Sequence, residues 1–410
     1  MQSRIIFNLC LCLFLALPYG NAQTDKDHMR VKTDVVYLAS DYLEGRETGK
    51  PGEILAAEYI AFRMQELGLK PMGKDGTWYQ EFDFDYKDNP HVAKGEPRTG
   101  RNVIGYLDND AKTTVVIGAH YDHLGHGIMG SLHAGDPAIH NGADDNASGV
   151  AAMLLLAEKL TASKAKNNNY LFIGFSGEEL GLFGSKNFVN APTIELKTIN
   201  YMLNMDMVGR LNAEKVLAIN GAGTAPIWKD ILPKIKVADI QIKTTDSGIG
   251  PSDHTSFYLK DIPVLHFFTG QHGDYHKPAD DAALVNFDGI IQVSDFLLAI
   301  IEKLNKKGKL EFTKTKDDDP DKKVARFKVT LGVMPDYVYQ GEGMRIDGVI
   351  DGRVADKAGL KDGDVVIRMG DIEVTDMYSY MEGLSKFKTG DKTTVVVKRG
   401  EEELEVPVEF

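Results

Sequence analysis

The sequence predicts an α/β domain followed by a smaller domain built mainly of β-strands. Three observations carry this. Short apolar runs alternate with helix-periodic segments from about residue 30 to residue 304. Residues 303–323 break that pattern with Lys, Asp and Gly, including Asp317-Asp318-Asp319-Pro320. Beyond residue 325 the chain is strand-rich, with turn signals at Gly341, Gly348, Gly352, Asp362-Gly363 and Gly390-Asp391.

The elements follow in order. In residues 1–22, Arg4 gives a thin positive start, Ile5 to Leu17 is apolar apart from Asn8, and Pro18, Gly20 and Ala22 form a small-residue exit. That is the layout of a secretory signal peptide, too short to span a bilayer comfortably, so export to the periplasm or the medium is expected. Ala57, Ile60, Met64 and Leu67 recur at helical spacing, with Gly68 placed to end the helix. Thr113 to Ala119, Tyr170 to Phe175, Tyr201 to Met205 and Ile262 to Phe268 read as strands. Ala147 to Leu160 reads as a buried helix, and Ile290, Val293, Leu297, Ile301 and Leu304 mark a closing one. Domains are therefore expected at 23–304 and 325–410, joined by a charged linker over 305–324.

Composition narrows the chemistry. A formal net charge of −13 argues against nucleic acid as a partner, because phosphate binding needs basic surface. Both cysteines, Cys10 and Cys12, lie in the leader, so the remainder offers no thiolate nucleophile or ligand. Any metal site there must use His, Asp and Glu. No later stretch is long and apolar enough to span a membrane.

Candidate ligands cluster where predicted strands end. The run ending at Ala119 leads into His120-Tyr121-Asp122-His123, the run ending at Phe175 into Ser176-Gly177-Glu178-Glu179, and Met205 into Asp206. Open α/β sheets bind ligands beyond the carboxyl ends of their strands. Asn141 to Gly149 forms a glycine-flanked acidic loop opening a helix; one of its acids would serve as a cap, but Asp144-Asp145-Asn146 offers three polar residues in a row. Crowded carboxylates repel unless a cation offsets them. Asp274 to Asp280 supplies a further histidine, His276. His254 and His266, like His126, His133 and His140, remain without a metal role.

These blocks resemble the M28 zinc aminopeptidases, in the family's order: Ala119 to His123, Gly142 to Gly149, Gly177-Glu178-Glu179, Asn204-Met205-Asp206 and Tyr275 to Pro278. Leu43 to Arg46, Leu67-Gly68-Leu69, Asn102 to Gly105 and Ser252-Asp253-His254 fit as flanking signals. The resemblance implies a three-layer α/β/α fold with a mostly parallel mixed sheet and two Zn2+ per chain, Co2+ or Mn2+ being possible substitutes. It implies His120 and Asp206 on one ion, Glu179 and His276 on the other, and Asp144 bridging both, with a cis Asp144–Asp145 bond. Asp122 would orient His120 through its other ring nitrogen. Glu178, not committed to metal, would be the general base for a zinc-bridged hydroxide that hydrolyses the N-terminal peptide bond. Phe267, Phe268 and Tyr258 are candidates for the side-chain pocket.

Residues 325–410 resemble a PDZ domain through Leu331-Gly332-Val333-Met334, through Ala355 to Asp364, and through the final strand Thr393 to Lys398. Such domains bind extended peptides by strand addition, and Leu331 to Met334 would form the nest for a peptide C-terminus. Two other functions fit the same residues: a glutaminyl-cyclase-like enzyme with a single zinc, and a non-catalytic PDZ scaffold.

Overall fold

The structure, a computed structural model, describes residues 19–410 except 88–94, 134, 316–328, 337–338, 340, 350–351 and 376. The proposed leader therefore lies outside the described residues, apart from its last four. Those residues already belong to helix α1 (Tyr19–Leu38), and no helix among the described residues is long and apolar enough to cross a membrane.

The first domain is a three-layer α/β/α unit. After α1 come α2 (Pro51–Glu66), β1 (Lys70–Pro71), the long hairpin β2 (Tyr79–Tyr86) and β3 (Glu96–Leu107), then β4 (Thr114–His120) and α3 (Gly149–Ala162). β5 (Asn169–Phe175), α4 (Phe183–Asn190), β6 (Ile199–Met205), β7 (Val216–Asn220) and α5 (Pro226–Ile231) follow. β8 (Gln241–Thr244), α6 (His254–Tyr258), β9 (Val264–Phe268) and α7 (Phe287–Leu304) complete it. The nine strands run in the order β1-β3-β5-β4-β6-β9-β7-β8, with β2 added on β3. Strands β5, β4, β6 and β9 are mutually parallel, and every residue in them is buried. Burial on both faces explains why these segments are continuous apolar runs in the sequence.

The period of two along each strand divides the core into two layers. Val115, Ile117, Ala119, Tyr170, Phe172, Tyr201 and Leu203 face α1, α2, α3, α5 and α7. Val116, Leu171, Ile173, Phe175 and Met202 face the opposite side, against Phe188 of α4 and Phe257 of α6.

The linker begins later than the charge pattern predicts. Leu310 is buried in the first core, Thr313 N donates to Thr224 O at 2.8 Å, and Thr315 N donates to Tyr258 Oη at 2.9 Å. Residues through 315 thus pack on the first domain, with Leu310 in one core layer and Phe312 against the other.

The second domain is a small antiparallel sheet with its own core. It comprises β10 (Val333–Pro335), β11 (Met344–Val349), α8 (Val354–Ala358), β12 (Val365–Met369), β13 (Ile372–Glu373), α9 (Met377–Ser385), β14 (Lys392–Arg399) and β15 (Glu402–Glu409). Strand order is β10-β11-β12-β14-β15, with β13 on β12, around Leu331, Ile346, Val366, Met369, Val395 and Val397.

Candidate metal and catalytic site

β4, β5 and β6 deliver their polar residues to one cavity at their carboxyl ends: His120 to His123, Glu178-Glu179 and Asp206. The loop before α3 brings Asp145, and the loop after β9 brings His276. His120 Nε2 lies 3.2 Å from Asp145 Oδ1 and 3.3 Å from Asp206 Oδ1. His276 Nε2 lies 3.2 Å from both Asp145 Oδ2 and Glu179 Oε2. Asp145 therefore turns one carboxylate oxygen toward each histidine, between two adjoining donor groups. His123 joins the second group, its Nδ1 2.8 Å from Glu179 Oε1 and its Nε2 buried without a hydrogen-bond partner.

This corrects the position expected for the bridging acid. Asp144 points away: its Oδ1 accepts from Gly209 N at 2.6 Å and Ser148 Oγ at 3.0 Å, while its Oδ2 faces His272 Nε2 at 3.2 Å. The cis bond is likewise Asp145–Asn146, not Asp144–Asp145. Adjacent residues in a tight turn project to different sides, and the turn is pinned so that Asp145 faces the cavity. Asp280 Oδ2 accepts both Asp144 N (2.9 Å) and Asp145 N (3.0 Å), and Asn146 Nδ2 donates to Met205 O at 3.0 Å. At Gly142, with φ +55°, a Cβ would fall 2.1 Å from Asp145 O, so only glycine lets the loop close.

Asp122 also differs from expectation. His120 Nδ1 is nearer the Asp122 main-chain oxygen (3.2 Å) than its carboxylate (3.7 Å). The carboxylate instead accepts Thr48 Oγ1 at 3.0 Å and Glu178 N at 3.2 Å, so Asp122 links the His120 turn to the Glu178 turn. His276 is held by the segment between β4 and α3, its Nδ1 2.9 Å from Gly130 O, which leaves Nε2 free to face the acids.

Two further residues brace the cavity. Arg46, fully buried, donates to Tyr121 O (2.7 Å), Asn141 O (2.6 Å), Gly142 O (3.0 Å) and Leu38 O, joining the β4 end to the acidic loop. Burial pulls its guanidinium down to about 10, against the pull of Asp122, Asp145 and Asp280, so it stays charged at neutral pH. Glu53 of α2, also fully buried, accepts from Tyr121 Oη, Ser176 Oγ (2.9 Å) and Arg101 N (3.3 Å). Arg46 lies in the Leu43–Arg46 segment and Asp280 four residues beyond His276, both within stretches whose sequence already marks the site. His123 sits inside a quoted block, but sequence gives no sign of which way it points.

The electrostatics show a cavity short of positive charge. Burial alone would depress His120 and His276, yet Asp206 and Glu178 around the first, and Glu179 and Asp145 around the second, hold both well above the usual imidazole range. Burial works against Glu179 too, but His276 brings it down to about 2. Glu178 behaves oppositely: burial pushes its carboxyl well above the ordinary range, with Asp206, Asp253 and Glu179 adding to the push over His120's opposing pull. A site that recruits protonated histidines to balance crowded carboxylates, and leaves His123 Nε2 unpartnered, suits divalent cations bound by imidazole and carboxylate.

The other histidines stay outside. His254 and His266 stack at 4.6 Å in the interior, where burial pushes both below the usual range. His140 bonds within its own loop, to Ser131 Oγ (2.7 Å) and Ala138 O (2.8 Å). Of the pocket candidates, Phe267 and Tyr258 are core residues. Phe268 forms a separate small apolar cluster with Met207, Ala218 and Tyr275, beside Asp206 and His276.

A three-layer α/β domain with paired histidine–carboxylate groups at its strand ends has the donor set of a metal-dependent enzyme. Residues 102–301 match peptidase family M28, and residues 311–410 match the PDZ domain: the chain carries an M28 peptidase domain followed by a PDZ domain. The chain is 25% identical to a probable leucine aminopeptidase of Arthroderma otae, over 67% of this chain and 71% of that one. It spans 36–57% of the length of the other curated relatives it matches. Among solved structures it shares the fold of BSAP, a zinc aminopeptidase from Bacillus subtilis (TM-score 0.55, 18% identity, 69% of this chain and 95% of that one). It shares it also with Bacteroides thetaiotaomicron glutaminyl cyclase (TM-score 0.52, 19% identity, 68% and 97%).

Proposed function

We propose that the protein is an exported aminopeptidase that binds two zinc ions and removes N-terminal residues from peptides. The observation that carries this is the Asp145 carboxylate, with one oxygen 3.2 Å from His120 and the other 3.2 Å from His276. In this reading His120, Asp145 and Asp206 would hold one ion, and Asp145, Glu179 and His276, with His123 against Glu179, would hold the other. Bound zinc would polarise the scissile carbonyl and make a water acidic enough to attack at neutral pH.

The chain's own residues do the rest. Glu178, with its raised proton affinity, takes the proton of the attacking water and passes it to the leaving amine; such a group works best when its pKa lies near the operating pH. Asp122 fixes the Glu178 turn, while Gly130 O fixes the ring of His276. The apolar cluster of Met207, Phe268 and Tyr275 would receive an apolar N-terminal side chain. Residues 1–22 would direct export, and the PDZ groove at Leu331 to Met334, beside the edge strand β10, would take a peptide C-terminus.

The test is a panel of aminoacyl chromogenic substrates, assayed before and after chelation and with zinc returned. Hydrolysis that disappears with chelator and returns with zinc is expected. Cyclisation of N-terminal glutamine with one ion per chain would point to the cyclase reading, and no turnover at all to a scaffold.

A further inference from the structure

Beside the Glu178 turn lies a group of aromatic side chains that packs into neither core layer of the first domain. Phe82 and Phe84, two residues apart on β2, share one face of the sheet, and Phe183 opens α4. The Phe84 and Phe183 rings meet edge-on at 5.4 Å, and Phe82 lies 6.2 Å from Phe84. All three are only partly buried. Among the described residues β2 pairs with β3 alone, so this face sits at an open margin of the sheet.

The group is tied to the catalytic turn. Phe183 N donates to Gly177 O at 2.8 Å, and Gly181 N and Leu182 N donate to Glu178 O at 2.8 and 2.9 Å. A Cβ placed on Gly177 would lie 3.1 Å from Phe183 Cβ and 3.5 Å from the Phe82 ring. Nearby charge is already matched: Arg98 binds Glu47 at 2.6 Å and Glu96 at 2.9 Å and stacks on Tyr86 at 3.4 Å. The shelf is therefore apolar in what it offers.

We propose that Phe82, Phe84 and Phe183 form the subsite for the second residue of the substrate, the one that leaves with the new amine, and that they select an aromatic or large apolar side chain there. This inference rests on the aminopeptidase reading. A group that hands a proton to the leaving nitrogen must come within hydrogen-bond reach of it, about 2.6–3.2 Å. The second residue consequently lies on the Glu178 side of the cavity, where the aromatic shelf is fixed to the Gly177–Glu178 backbone. The first residue lies on the other flank, by Met207 and Tyr275. Partly exposed aromatics grouped beside a site are a recognition surface rather than core filling.

The test compares kcat/KM for Leu-Phe-amide and Leu-Gly-amide on the full zinc-loaded chain. The wild type should favour the phenylalanine substrate by about tenfold, and Phe84→Ala should remove most of that ratio. Phe183→Leu provides a second variant should the first fail to fold, and it should lower the ratio partially. Phe62→Ala, an exposed aromatic on α2, should leave the ratio as it is. A wild type without preference, or shelf variants with the wild-type ratio, overturns the subsite while leaving the peptidase reading standing. No cleavage of either substrate by zinc-loaded wild type overturns both.

Discussion

Replacing Asp145 and Asp144 separately by Asn separates two neighbours that sequence alone does not distinguish. Asp145 offers one oxygen to each donor group, 3.2 Å from His120 and 3.2 Å from His276. Asn keeps the shape but has one neutral oxygen, so only one group retains an acceptor and the central negative charge is gone. Disturbing a residue that merely orients a metal ligand costs about 10–100-fold in affinity, so loss of a shared ligand should exceed about 100-fold, or about 2.8 kcal/mol at 1.4 kcal/mol per tenfold. Asp144→Asn keeps the oxygen that accepts Gly209 N and Ser148 Oγ and should bind metal as the wild type does. Zinc titration against a competing chromophoric chelator reads both constants, with circular dichroism to show that each variant is folded. If Asp144→Asn lost the second ion while Asp145→Asn kept both, the assignment of the shared ligand would be refuted.

Other outcomes follow from the bracing residues. Burial raises Glu53 from 4.5 to about 7, so the folded chain holds a proton the unfolded chain has released, and stability falls as pH climbs through that window. That difference corresponds to about 3 kcal/mol, so Glu53→Gln, melted without metal at pH 5 and pH 8, should show a shallower decline than the wild type; an equal slope would contradict this. Arg46→Lys keeps the charge but cannot reach four carbonyl oxygens, and should cost about 3 kcal/mol in urea unfolding. Asp122→Asn should lower kcat, because the side chain keeps only one of the two oxygens that accept Thr48 Oγ1 and Glu178 N, while zinc affinity should hold, because the main-chain oxygen facing His120 is unchanged.

The layering of the first domain is legible because parallel strands buried on both faces must be apolar throughout. Val115 to Ala119 and Leu171 to Phe175 therefore stand out without any alternation. The residues at their ends are legible for the same reason: His120, Glu179 and Asp206 interrupt apolar runs at points the fold directs to one cavity. Direction within a turn is not legible. Asp144 and Asp145 are the same residue type at adjacent positions, and the choice between them is made by the Asp280 carboxylate and the Met205 carbonyl, which bond to the turn from distant parts of the chain. His123 is hidden similarly, since only the folded loop sets it against Glu179. The hairpin of β2 and β3 escapes a sequence reading because Phe82, Asp83, Phe84 and Asp85 alternate on a half-exposed margin, a pattern weaker than a buried strand. The packing of Leu310 to Thr315 onto the first domain depends on Thr224 and Tyr258, which local composition does not show.

Metal counting on the purified chain, alongside Glu178→Gln, tests the two-ion hydrolase most directly. Two zinc ions per chain in both proteins are predicted by elemental analysis, with peptide hydrolysis abolished only in the variant. A single ion in the wild type, or a variant that still turns over peptides, would contradict the account.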